Sequence, residues 1–191
     1  MAGSAEYTWV CDPVDGTVPF SHGIPVSTFS LALTKNGESI LGVVYDPFQD
    51  RLYSALKGEG AFLNGKKISV SSASQFKGTV GEYEMFEHSK YNLNKLQERF
   101  VFEGVKLMSF CSVIYPSMLV AAGELAFVVF PLTNAHDGAA VKIIVEEAGG
   151  RVTDIFGEDQ KYDTKINGFI ASNGILHKQL VSLCKELIIK Q

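Results

Sequence analysis

The residues best suited to chemistry in this chain lie in two short segments, Trp9-Val10-Cys11-Asp12-Pro13-Val14-Asp15-Gly16-Thr17 and Asn134-Ala135-His136-Asp137-Gly138-Ala139-Ala140. In the first, an apolar strand-like run ends in two carboxylates three apart, followed by Gly-Thr. Carboxylates at a strand end suit a hard cation: magnesium prefers oxygen ligands and completes its shell with waters, one or two carboxylates and a substrate phosphate. Gly16 lets the backbone come close, and the Gly16 and Thr17 amides can face a phosphate at a helix start. In the second segment Asp137 opens an apolar-periodic stretch, where a lone acid is ordinarily an N-cap. Asp12-Pro13 followed by Asp15-Gly16 is also the composition of a turn. Spacing alone leaves metal site, cap and turn open.

The elements that must position these segments change character along the chain. The first half alternates apolar and polar residues and is cut by glycine turns, which predicts antiparallel strands at 26–34, 40–46 and 52–56, with Asn36-Gly37 as a hairpin signal. Short strands at 61–63 and 67–70 flank a second such signal, Asn64-Gly65. Gly58-Glu59-Gly60 has no GK[ST] after it and reads as a hairpin turn, not a phosphate loop. In the second half Val141, Ile144, Val145 and Ala148 follow helical spacing and stop at Gly149-Gly150, and Leu176, Leu180, Leu183 and Leu187 repeat that spacing. Short buried strands are expected at 125–130 and 168–171, and helices at 91–102 and 114–122, the latter with Pro116 in its first turn. The class is mixed α and β. Glu146 and Glu147 are expected on a solvated helix face, His88 and His177 on the surface, His22 in a loop-positioning role, and Asp154 at a strand end.

Composition narrows the function. The 191 residues carry 17 Lys and Arg against 21 Asp and Glu, a net charge of −4, with 46% hydrophobic and 20% charged residues. That is an ordinary globular chain, and without a basic cluster it lacks the electrostatic footprint of a nucleic-acid-binding domain. Apolar runs such as 125–131 fall far short of the ~18 residues a membrane span requires. Residues 1–6 have neither a basic nor an apolar leader region, which points to a cytoplasmic address. Cys11, Cys111 and Cys184 are an odd number with no CxxC pair, which argues against a disulfide framework or a zinc site and for buried reduced thiols.

Asp12-Pro13-Val14-Asp15-Gly16-Thr17, continued by Phe20 and His22-Gly23-Ile24-Pro25, resembles the first signature of the inositol monophosphatase family of magnesium-dependent, lithium-sensitive phosphatases. His136-Asp137-Gly138-Ala139-Ala140, running on to Glu147-Ala148-Gly149-Gly150-Arg151-Val152-Thr153-Asp154, resembles its second. Gly42-Val43-Val44-Tyr45-Asp46-Pro47 and Lys57-Gly58-Glu59-Gly60-Ala61-Phe62-Leu63-Asn64-Gly65 fit family segments between them, so the likeness covers nearly the whole chain. It implies an α/β fold, the α+β layered sandwich of inositol monophosphatase and fructose-bisphosphatase, with alternating helix and sheet layers in one domain over 1–191. It also implies that Asp12 bridges two Mg²⁺ ions, with the Val14 carbonyl joining it on the first and Asp15 and Asp137 on the second. A phosphate would sit against the Gly16 and Thr17 amides, with Thr17 and Asp15 in the catalytic group. Three carboxylates converging without a cation would repel by roughly 4 kcal/mol per pair at about 4 Å and an effective dielectric of about 20. Bound Mg²⁺ would lower the pKa of a water, orient it and stabilise the leaving alkoxide.

The chain departs from the family pattern at several points. The family's upstream metal-ligating glutamate, and the acid that pairs with its threonine hydroxyl, have no counterpart: Glu6, the acid that precedes Asp12, is too near it. Met1-Ala2-Gly3-Ser4 reads as a processing scar, so an N-terminally truncated chain lacking the family's N-terminal helical layer is expected. Apolar surface on Trp9, Phe29, Leu31 and Leu33 would then lie bare and favour a homodimer or a covering partner. The substrate-binding loop falls on Cys111, Ser112 and Val113, and the inositol-contacting glutamate falls on Phe130, which cannot accept a hydroxyl hydrogen bond. Val18-Pro19 replaces the usual polar pair. His136 stands where the family usually has Trp and reads as a structural imidazole. The function expected is Mg²⁺-dependent hydrolysis of a small phosphate monoester: an inositol, sugar, polyol or nucleotide phosphate. The alternative is a catalytically incomplete fragment or a phosphate-binding interaction module.

Overall fold

Asn36-Gly37 and Asn64-Gly65 turn as their composition requires, with φ of 52° and 84° at the first pair and 48° and 76° at the second. Two consecutive positive φ values give the type I′ geometry that matches strand twist. The computed structural model, which describes residues 5–84 and 89–190, builds from these hairpins a six-stranded antiparallel sheet in sequence order. Its strands are β1 (Tyr7–Asp15), β2 (Thr28–Lys35), β3 (Glu38–Asp46), β4 (Arg51–Leu56), β5 (Gly60–Leu63) and β6 (Lys66–Lys67), with the short helix α1 (Thr17–Ser21) between β1 and β2. The strand expected at 67–70 stops early because the Val70 N–H donates to the Ala148 carbonyl (3.0 Å) instead of to a strand.

The remaining elements are β7 (Val80–Tyr83), β8 (Tyr91–Asn92), α2 (Asn94–Phe102), β9 (Lys106–Met108), α3 (Ile114–Ala121), β10 (Phe127–Phe130), α4 (Ala135–Glu147), β11 (Arg151–Thr153), β12 (Phe169–Ser172), α5 (His177–Leu187) and β13 (Ile189–Lys190). Five of these strands form a mixed sheet in the order β11-β12-β10-β7-β9, and β8 pairs with β13. The helix expected from residue 91 starts at Asn94 because Asn92 Oδ1 accepts the Asn94 N–H (2.9 Å) and Tyr91 pairs with Lys190. His88 and Met1-Ala2-Gly3-Ser4 lie outside the described residues.

Helices α3 and α4 pack between the two sheets, while α2 and α5 cover the other face of the second sheet, which gives the α/β layered sandwich. Period-two alternation in the second sheet divides its apolar side chains accordingly. Val128, Phe130, Phe169 and Ala171 join the core with α3 and α4, and Phe127, Val129 and Ile170 join the core with Leu96, Phe100 and Leu180. Gly42 of β3 admits α4 closely: a Cβ there would lie 2.5 Å from Ile143 Cγ2. On the opposite face of the first sheet Trp9 and Phe29 are exposed as expected, while Leu31 and Leu33 are half-buried.

Four sequence expectations are corrected. Glu147 is not merely solvated; its carboxylate accepts the Gly58 and Gly60 N–H groups (2.8 Å each) and fastens the β4–β5 turn to α4. Glu146 accepts bonds from Lys142, Arg151 and the Val152 N–H. Cys11 and Cys111 are exposed, and Cys184 alone of the three cysteines is buried.

His177 is buried rather than superficial. Its Nε2 bonds Thr153 Oγ1 (2.9 Å) and its Nδ1 bonds Ser172 Oγ (2.8 Å). Because the Thr153 hydroxyl donates to the Asp154 carbonyl, bonding assigns the proton to Nε2 of a neutral ring. Burial holds the imidazole down to about 4. The folded state therefore binds fewer protons than the unfolded one between pH 4 and 6.5, so the stabilisation from His177 is full above 6.5 and is lost on acidification through that window. His177→Asn should destabilise the protein by about 1–3 kcal/mol at pH 7. Thermal melts across pH should also show a flatter acid limb in the variant.

Candidate metal centre

Asp12 and Asp15 are three apart, a spacing that points side chains to opposite faces of a regular strand. The β1–β2 pairing slips between them: Asp12 opposes Ser30 and Asp15 opposes Thr28, so one extra residue of β1 is accommodated. This bulge falls at Pro13-Val14, where proline has no N–H to lose from the ladder. It turns both carboxylates to the buried face of Ser30 and Thr28. The same strand end that reads as a turn is thus a device for aiming two acids one way.

Asp15 is 5% exposed and accepts five hydrogen bonds, four of them on Oδ2. Its Oδ1 accepts the Val113 N–H (2.9 Å), while its Oδ2 accepts Thr28 Oγ1 (3.1 Å), Ser112 Oγ, Ile114 N–H (3.2 Å) and Tyr115 N–H (3.3 Å). The carboxylate therefore satisfies the orphan amides at the start of α3 and faces the positive end of its dipole. Oδ1, with a single N–H on it, keeps a lone pair.

Gly16 follows in the left-handed region (φ 76°), and a Cβ there would meet the Val26 carbonyl oxygen at 2.7 Å. No other residue fits that corner. Thr17 begins α1 and is exposed to the cavity described below.

Asp137 arrives from α4. It is not the N-cap: Asn134 holds that place, and Asp137 sits in the first helical turn. One ligand atom each from Asp12, His136 and Asp137 lies within 4.8 Å of the others. The half-exposed His136 ring stands 3.8 Å from the Asp137 carboxylate, at the edge of this cluster. Burial, then the charges of Asp12 and Asp15, holds Asp137 up to about 6 against the pull of His136 and Asn134. Burial and the Asp15 charge raise Asp12, against a bond from the Val14 N–H (3.1 Å) and the influence of His136. Two acids held above their ordinary range by burial and mutual repulsion form a site that a cation stabilises by displacing protons. The donor set fits a divalent ion: carboxylate oxygens for a hard cation, with an imidazole nitrogen at its edge.

This cluster opens into a cavity of about 580 Å³ lined by Gly16, Thr17, Cys111, Ser112 and Val113, which brings those sequence-expected residues together with Asp12, Val14, Asp15 and Asp137. Phe130 is the exception and is corrected: it is fully buried, edge-on to Phe169 in the core, and its successors Pro131 and Leu132 line the cavity instead. Sequence reasoning missed Glu82 and Glu84, one strand step apart in and after β7. Glu82 is fully buried, holds the Phe110 N–H (3.0 Å), and is pushed up to about 8 by burial. Glu84 lines the cavity. Two acids at i and i+2 were the available signal, but without a strand assignment they read as surface charge.

The layered α/β sandwich thus brings acids from a bulged strand and a helix start together at one polar cavity, an arrangement that could hold a cation. The model of the inositol monophosphatase family matches residues 1–188. A fructose-1,6-bisphosphatase/inositol-1-monophosphatase of Thermotoga maritima is 38% identical over 183 residues, covering 94% of this chain and 68% of that protein. A histidinol-phosphatase of Chlorobaculum parvum is 35% identical over 179 residues, covering 91% and 66%. Among solved structures, an inositol monophosphatase from Anabaena (Nostoc) sp. superposes with a TM-score of 0.87 at 29% identity, covering 97% of this chain and 74% of that one. The chain belongs to the inositol monophosphatase family, whose members are phosphoric monoester hydrolases.

Two outcomes follow from this geometry. Asp137→Asn should abolish the heat of Mg²⁺ binding in calorimetric titration while leaving the circular dichroism spectrum unchanged; undiminished binding would contradict the ligand set. Gly16→Ala should cost about 1–3 kcal/mol in denaturant unfolding, because both the φ and the Val26 contact oppose a side chain.

Proposed function

We propose that this chain is a Mg²⁺-dependent phosphatase of small phosphate monoesters, with an inositol, sugar or other polyol phosphate as substrate. The observation that carries the proposal is the convergence of Asp12, His136 and Asp137 at the mouth of the cavity. Asp12, the Val14 carbonyl, Asp15 and Asp137 are the groups that would hold the cations, Val14 with Asp12 on the first and Asp15 and Asp137 with Asp12 on the second. When bound, such ions supply charge neutralisation at the phosphoryl group and acidify a water.

The protein's own part is positional. Gly16 and Thr17 receive the phosphate at the α1 start, where the left-handed turn brings backbone close. The Thr17 hydroxyl hydrogen-bonds the attacking water and fixes its approach to phosphorus. Asp15, by clamping α3, holds Ser112 and Val113 against the substrate. Water oxygen bonds to phosphorus, the ester P–O bond breaks, and the alcohol leaves with a proton. Phosphate monoesters hydrolyse so slowly unaided that such positioning and charge stabilisation must supply most of the rate.

The relatives' names span inositol, fructose bisphosphate and histidinol phosphate substrates. Among the described residues no helix is long and apolar enough to cross a membrane. A homodimer accords with the exposed Trp9 and Phe29 on the first sheet. Phosphate release from inositol 1-phosphate, fructose 1,6-bisphosphate and histidinol phosphate should require Mg²⁺, stop with chelator, and fall at high millimolar Li⁺. Metal-independent turnover would refute the proposal. Phosphate binding without turnover would establish the interaction-module alternative.

A further inference from the structure

Glu84 lies just after β7 on the wall of the cavity, outside the group of residues that hold the cation. Its Oε2 is buried, and among the described residues no donor reaches it. The Cys111 thiol neighbours the same carboxyl group and partly offsets the upward push that burial gives its pKa. Cys111 takes a left-handed conformation (φ 53°) that non-glycine residues adopt at a cost. The loop bearing it is fixed from below, where the Phe110 N–H donates to Glu82. An acceptor buried beside a cavity without a donor is destabilising in the free protein and calls for an explanation.

The other walls indicate which donor completes it. Ser89, Lys90, Thr133 and Asn134 line the same cavity, a polar surface suited to a hydroxylated alcohol more than to an aromatic one. The cationic Lys90 opposes a positively charged alcohol part. The β10 position that the resemblance assigned to a hydroxyl acceptor is Phe130, sealed in the core.

We propose that Glu84 is a specificity-determining residue, whose carboxylate accepts a hydrogen bond from a hydroxyl of the substrate's alcohol part, so that polyol phosphates are preferred to apolar phosphate esters. This rests on the phosphatase function proposed above. A site built to bond a hydroxyl discriminates strongly against analogues that lack it, because its own polar group is left unpaired.

The test is steady-state kinetics of the Mg²⁺-loaded protein on inositol 1-phosphate and on phenyl phosphate, for wild type, Glu84→Leu and Glu84→Gln. Glu84→Leu should lower kcat/KM on the inositol ester about 10- to 100-fold while changing phenyl phosphate less than about twofold. Glu84→Gln, which keeps a carbonyl acceptor and the side-chain shape, should recover to within about fivefold of wild type on the inositol ester. Equal losses on both esters, or no loss on the inositol ester in either variant, overturn the role of Glu84 and leave the phosphatase function standing. Wild-type silence on both esters overturns the phosphatase function and this inference with it.

Discussion

The structure turns on keeping buried carboxylates of like charge close together. Asp12 and Asp15 from β1 meet Asp137 from the start of α4, more than a hundred residues later in the chain. Each pair repels, and burial weakens the solvent screening that would soften the repulsion. The protein answers in two ways. Asp15 is stabilised largely by the protein, through side-chain hydroxyls and the amides that open α3, with one lone pair of Oδ1 left over. Asp12 and Asp137 lack such a set of donors, and with His136 they form a group that could hold a cation.

The layers exist to hold this arrangement. The Pro13-Val14 bulge aims the β1 acids to one face, Gly42 admits α4 to that face, and α4 presents Asp137 from its first turn. Helix α3 is pinned to β1 by Asp15 at one end and packed between the sheets along its length. A shift of α3 would displace Ser112 and Val113, which line the cavity, so the cavity wall and the charge compensation share one set of bonds. Glu82 supports the same loop from the second sheet by holding the Phe110 N–H.

Much of this was legible in the sequence where local chemistry decides. Both Asn-Gly hairpins and the α4 periodicity with its Gly149-Gly150 stop read directly, because turn type and helical spacing are properties of neighbouring residues, whereas spacing alone left the two acidic segments open between metal site, cap and turn. What was not legible depends on distant partners. Val80–Tyr83 forms β7 because β10 and β9 flank it, although Gly81 and Glu82 spoil any alternation. Tyr91 is a strand residue because Lys190 lies opposite. Glu147 and His177 have ordinary local sequence, and only tertiary packing reveals the one as a staple for a turn and the other as buried. His136 is the instructive case: its type suited a ligand, but its distance to Asp12 could not be read from its position in the chain.

The central claim is that a divalent cation is bound between Asp12 and Asp137, and its most direct test is anomalous diffraction from crystals soaked in Mn²⁺. The account predicts a peak at about 2.1 Å from a carboxylate oxygen of each residue. A peak elsewhere, with these two carboxylates left uncoordinated, would contradict it.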